Sequence, residues 1–172
     1  MFFQILLLCL ITLIPALELR ASIPYGIMGN ASWGITPGLM PWFFVAALCI
    51  LCNAVLGWVL YLLLPVIFQI VGKLPVFGKY ADSLTARARS KLKPYVEKYG
   101  TIGVALFIGI PLPGSGVYTG SLGAFMLGME RRKFMLACLL GVIIAGTIVT
   151  ALTLAVKQSM ELPFWTELVI KG

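Results

Sequence analysis

The chain of 172 residues contains no histidine and only six acidic residues, and all charged residues together make up 11% of it. The first absence removes the usual imidazole acid/base and the commonest metal ligand. The second, against roughly a quarter charged in an ordinary soluble domain, excludes a water-soluble fold for a chain that is 60% hydrophobic. No enzymatic activity, metal site or cofactor is expected. Cysteine is scarce too: Cys9, Cys49, Cys52 and Cys138 all lie within apolar stretches, where a secreted disulfide framework would not be found. Cys49 and Cys52 have C-x-x-C spacing, but no charge flanks them to stabilise a thiolate, so buried packing is their expected role. Residues 1–17 lack a basic leading segment and an A-x-A-like site before Glu18, so they are read as a retained segment.

What charge there is has a pattern. Thirteen Lys and Arg give a net charge of +7, and the excess is concentrated in two blocks. Lys73 to Lys98 carries seven basic and two acidic residues, and Arg131 to Lys133 carries three basic ones. Such blocks between uncharged runs suit the cytoplasmic loops of a multi-pass protein in a prokaryotic plasma membrane, not a nucleic-acid-binding face. The uncharged runs are Met1 to Leu17, Ala21 to Gly72, Tyr99 to Met129 and Phe134 to Val156. A membrane helix needs about 20 residues to cross about 30 Å of hydrocarbon. Leu39 to Leu64, ended by Pro65, and Phe134 to Val156 meet that requirement as simple spans. Whether residues 1–17 form a full span or a hairpin arm stays open.

Elsewhere proline and glycine interrupt the pattern, at Pro15, Pro24 and Gly29 to Gly38, and again at Pro111, Pro113 and the glycines from Gly103 to Gly120. Broken backbone at membrane depth must be buried in protein or line a wet cavity, and such breaks are where transporters hold their substrates. Tyr99 to Met129 has 31 residues between two basic blocks, too few for two crossings of about 20 each. It is expected to form a re-entrant hairpin with Ile110 to Gly116 at its tip; the alternative is a single crossing that leaves Arg131 to Lys133 outside. The first half repeats the order of apolar arm, break, linker and span. A shift of 89 residues superposes Pro24 on Pro113, Gly34 on Gly123, Cys49 on Cys138 and Gly57 on Gly146.

The expected fold is therefore an all-α integral membrane protein of two inverted-topology repeats, each a re-entrant helical hairpin plus a transmembrane helix. Residues 1–72 form the first repeat, 73–98 a basic cytoplasmic loop or interfacial helix, 99–156 the second repeat, and 157–172 a tail at the outer interface. So few spans shield broken backbone poorly, which points to a homodimer or larger oligomer among membrane lipids, without nucleic-acid partners.

Glu18 and Arg20 are the only charges between Met1 and Gly72. Ionisable groups in hydrocarbon usually face a cavity or a partner. Local unwinding near Pro24 would turn both toward one cavity. Arg20 offers a five-donor fork for a phosphate or carboxylate, and Glu18 is a carboxyl able to exchange a proton. The alternatives are that the two pair with each other or sit at the water interface. In the second half, Pro111, Pro113, Gly114, Ser115 and Gly116, followed by Tyr118 and Thr119, supply bare backbone, hydroxyls and a phenol. Amides at such a break make an anion or headgroup cradle, although no lysine follows the glycines as in a P-loop. Gly116 and Gly120 also fit simple close helix packing. Asn53 is read as a hydrogen bond between helices.

ELRASIPYG (Glu18 to Gly26) together with FIGIPLPGSGVYTGSLGAFMLGM (Phe107 to Met129) resembles the small multidrug export protein family of bacteria and archaea. The likeness covers roughly residues 10–156 and implies export of drugs. More distantly, the order of hairpin and span is similar to the DedA superfamily, whose members include transporters of lipids and of the undecaprenyl phosphate carrier. That likeness implies paired re-entrant hairpins with an intramembrane acid and arginines near the tips. Glu18 and Arg20 match it in kind, while the PLPGSG tip carries no arginine, the nearest being Arg131. The favoured reading is a proton-coupled translocase of an anionic lipid or lipid-linked phosphate. The alternatives are an exporter of small amphiphilic drugs and a non-transporting membrane scaffold.

Overall fold

Long apolar runs make long helices, and two of them set the frame of the computed structural model, which describes residues 2–15, 17–29, 40–71, 78–112 and 114–160. In chain order the elements are α1 (Phe2–Leu13), α2 (Glu18–Met28), α3 (Trp42–Val71), α4 (Gly78–Gly109), α5 (Val117–Met126) and α6 (Arg131–Met160). Among the described residues there is no strand. Both α3 and α6 have 30 residues, about 45 Å at 1.5 Å per residue, and are apolar enough to cross a membrane. Large apolar side chains cover their outer faces, among them Leu51, Val55 and Val59 on α3 and Leu136, Leu140 and Leu152 on α6. A face of this kind fits lipid rather than water.

Three of the other helices are short, and α4, 32 residues in all, is kinked at Gly100. α1 has 12 residues, α2 has 11 and α5 has 10, so each measures about 15–18 Å and none reaches across the hydrocarbon. At 12 residues, Phe2–Leu13 is too short to be a full span. α1 packs on α2 and α3, α4 on α5 and α6, and the two halves interlock, α2 lying against α6 and α5 against α3.

Several boundaries differ from the sequence reading. Pro65 does not end the first span; α3 runs through it to Val71, because a proline removes one backbone bond and a well-packed membrane helix tolerates that loss. Pro24 likewise lies inside a continuous α2. The break expected at Glu18 to Gly26 instead falls just before it, at Ile14, Pro15 and Leu17. Lys73 to Tyr99 is more than a loop: from Gly78 it is helical, and Leu92 is fully buried in the core. The run reverses at Gly100, whose φ of 57° and ψ of −129° suit glycine alone. The linker at residues 30–39, residues 72–77, Pro113 and the tail at 161–172 lie outside the described residues.

The shift of 89 residues carries α3 onto α6 end to end, Trp42 to Arg131 and Val71 to Met160. It does not hold for the hairpins, since Pro24 sits within α2 whereas position 113 precedes α5. The physical reason is the connection: α5 joins α6 through residues 127–130, while α2 and α3 are separated by residues 29–41. Where α3 crosses its neighbours, a Cβ on Gly57 would lie 2.5 Å from the Cys138 sulfur and 2.7 Å from Val117. The end of the second hairpin is fixed to α3 by aromatic packing. Tyr61 stacks on Phe134 at 4.2 Å and meets the edge of Phe125, and its hydroxyl donates to the Met129 carbonyl.

Candidate functional site

The helix ends at the two breaks determine where the charges go. α5 begins after Gly116, which has no side chain to cap it, so its first amides are unsatisfied within the helix. Glu18 supplies the cap from another helix: its carboxylate accepts from the Val117 amide at 3.3 Å and the Tyr118 amide at 3.4 Å. Negative charge at a helix N-terminus is favoured by the helix dipole. Asn53, in the middle of α3, donates to the same carboxylate at 3.5 Å. Glu18 and Asn53 are both buried, and the Asn53 side-chain oxygen has no hydrogen-bond partner among the described residues.

This placement requires Glu18 to hold a left-handed backbone, φ 46°, immediately after the break. For a residue with a side chain that conformation costs on the order of 1–3 kcal/mol and persists only where the surroundings impose it.

Arg20 takes the opposite end. Its guanidinium donates to the carbonyls of Leu112 and Ser115, lies 3.4 Å from the Ile110 carbonyl, and meets the Ser115 hydroxyl at 3.1 Å. Those carbonyls lie just beyond the C-terminus of α4, where positive charge is favoured. Ser115 donates its hydroxyl toward Ile110 and Leu112 at 2.7 and 2.9 Å, closing the turn on itself. Tyr118 reaches back from α5, and its hydroxyl donates to the Leu13 carbonyl at the first break. The pair at 18 and 20 thus forms a clamp that binds the acid to the start of α5 and the base to the end of α4. The two residues do not pair with each other: among the described residues the ion pairs are Lys93 with Glu97 and Lys133 with Glu130.

Residues 18–148 match the family described as "Putative small multi-drug export protein". The chain belongs to this family. Neither a curated protein nor a solved structure matches the chain. The family's region begins on Glu18 and encloses Arg20, Asn53, Ser115, Gly116 and Tyr118, so the side chains of the clamp lie within the matched portion. Membership, together with the apolar α3 and α6, makes this a membrane protein of a transport family.

Of the residues singled out in the sequence, Glu18, Arg20, Ser115, Gly116 and Tyr118 meet at the clamp, with Pro111 and Gly114 in the turn between α4 and α5. Pro24 lies six residues into α2, away from the charges, and Thr119 takes no part in the hydrogen bonds of the clamp among the described residues. Asn53, the one amide at the centre of an apolar span, makes the expected bond between helices, from α3 to Glu18 on α2. One further member emerges only from the fold. Lys91 gave no signal in the sequence: the reversal at Gly100 carries it back along the hairpin, and its ammonium lies 2.7 Å from where a Gly114 Cβ would stand. Among the described residues Lys91 has no ion-pair or hydrogen-bond partner.

Proposed function

We propose that this protein is a proton-coupled transporter of an anionic lipid or lipid-linked phosphate. What supports the reading above all is the charge left over at the turn. Glu18 and Arg20 are both committed to helix ends, whereas the Lys91 ammonium stands over Gly114 without a partner among the described residues. The available charge is positive, as a phosphate requires. Lys91 also supplies, from another segment, the second cation that the PLPGSG tip lacks.

The Glu18 carboxylate occupies the amide cradle at the start of α5 as a tethered anion. Protonation removes its charge and with it the stronger part of its bonds to Val117 and Tyr118. The emptied amides, with Lys91 beside them, then accept a phosphate. A bound phosphate and the carboxylate exclude one another, so proton and anion travel together, and affinity for the anion rises as pH falls.

In this reading α3 and α6 cross the plasma membrane in opposite senses, and the two hairpins re-enter from opposite faces as halves of an inverted repeat. Residues 73–98 and Arg131 to Lys133 face the cytoplasm. The reciprocal packing of α2 on α6 and α5 on α3 favours such a repeat. Along α3, Tyr61 is level with Met129 near the start of α6, while Asn53 is level with Val117. Those eight residues correspond to about 12 Å, which favours a clamp near mid-depth. A second copy in the bilayer covers part of the exposed face, giving a homodimer that crosslinking in membranes would detect.

The test is flux of a labelled lipid phosphate in proteoliposomes, measured beside uptake of a cationic amphiphilic dye. The reading requires lipid-phosphate flux that falls in Lys91→Ala. Dye flux without lipid flux would favour drug export, the reading that the family's description supports. Rates equal to those of empty vesicles for both would leave a scaffold.

A further inference from the structure

Outside the clamp, the fold brings together two cysteines that the sequence keeps far apart. Cys9 on α1 and Cys52 on α3 approach to 3.1 Å between sulfurs, although 43 positions separate them. Both are free thiols and half-buried. The C-x-x-C partner of Cys52 is not used: Cys49 points into the core and is fully buried.

The two thiols line a cavity of about 350 Å³ whose other walls are Leu13, Leu51, Val55, Leu56 and Val59. Leu51, Val55 and Val59 belong to the exposed outer face of α3, so this cavity opens where lipid would lie. A reagent that acts on the pair must therefore be soluble in hydrocarbon and enter an apolar recess. A disulfide needs sulfurs about 2.05 Å apart, so about 1 Å of approach between the two sulfurs remains.

We propose that Cys9 and Cys52 form a redox site at which a lipid-soluble quinone oxidises the dithiol to a disulfide. The two S–H bonds break and one S–S bond forms. The two electrons and two protons pass to the quinone, whose carbonyl oxygens become the hydroxyls of the quinol. The product is a covalent tie between α1 and α3. Leu13, which lines the same cavity, is also the residue whose carbonyl receives Tyr118. The tie therefore restrains the first hairpin next to the clamp. Only this last consequence, slower transport in the oxidised protein, rests on the function proposed above.

The experiment counts free thiols and does not depend on transport. The full chain in phosphatidylcholine vesicles is treated with a short-chain ubiquinone without oxygen, denatured, and labelled with a maleimide polymer that shifts the gel band once per thiol. Wild type is expected to fall from four labels to two, with one quinol formed per chain, and to return to four after dithiothreitol. Cys9→Ser and Cys52→Ser should each give three labels before and after treatment, while Cys49→Ser falls from three to one. Four labels persisting in wild type would overturn the proposal. So would loss of two labels in Cys9→Ser, which means pairing among Cys49, Cys52 and Cys138 instead, or a mass increase showing a quinone adduct. If the label counts come out as expected and the vesicles carry no flux, the redox site stands and the transport reading fails.

Discussion

Gly116 lies directly under the Glu18 carboxylate: a Cβ at this position would stand 2.8 Å from one carboxylate oxygen and 2.9 Å from the other. Its φ of 140° is a second reason that no side chain fits. Gly116→Ala should therefore push Glu18 off the α5 amides and lower stability by about 1–3 kcal/mol. Gly100→Ala provides the contrast: its backbone also disfavours a side chain, but the added Cβ meets nothing within 4 Å and lies away from Glu18. Both variants should unfold earlier in detergent, while transport in vesicles is lost only in Gly116→Ala.

Arg20 reaches several acceptors with one planar fork, a geometry that an ammonium does not reproduce. In Arg20→Lys the charge survives, but at least one carbonyl among Ile110, Leu112 and Ser115 loses its donor. The expected cost is about 1.5–3 kcal/mol, as for hydrogen bonds to charged groups. Unchanged stability in a denaturation series would show that charge alone suffices.

Lys91 is exposed, so its removal should leave stability within about 0.5 kcal/mol. Transport should respond instead: KM for the lipid phosphate rises about tenfold in Lys91→Ala, equivalent to about 1.4 kcal/mol, and Lys91→Arg restores it. Added salt should weaken transport in wild type more than in Lys91→Ala, because screening acts on the exposed charge.

The bond from Tyr118 to the Leu13 carbonyl joins the two breaks. Tyr118→Phe keeps the ring and removes that bond, at about 1 kcal/mol. A double-mutant cycle with Gly116→Ala, read by unfolding, should give a coupling energy clearly different from zero, since both changes loosen α5 from the first half.

The sequence was informative where physics is local. Uncharged length identified α3 and α6, and prolines and glycines marked both interruptions, because a chain without side chains or without an N–H cannot continue a helix unaided. It misled where neighbours decide. Pro24 and Pro65 looked like stops, yet packing carries α2 and α3 through them. Glu18 and Arg20 stood out as lone charges, but that they serve opposite helix ends depends on the approach of the two halves. Lys91 and the pairing of Cys9 with Cys52 were hidden because each depends on how far the chain folds back, a distance that no local pattern encodes.

Coupling through Glu18 is tested most directly by imposing a pH gradient across proteoliposomes and following labelled lipid phosphate in wild type and Glu18→Gln. The account predicts that flux in wild type follows the gradient in size and direction. Glu18→Gln, which keeps an acceptor for the α5 amides but takes up no proton in this range, should show flux indifferent to pH. A gradient response in Glu18→Gln equal to that of wild type would contradict it.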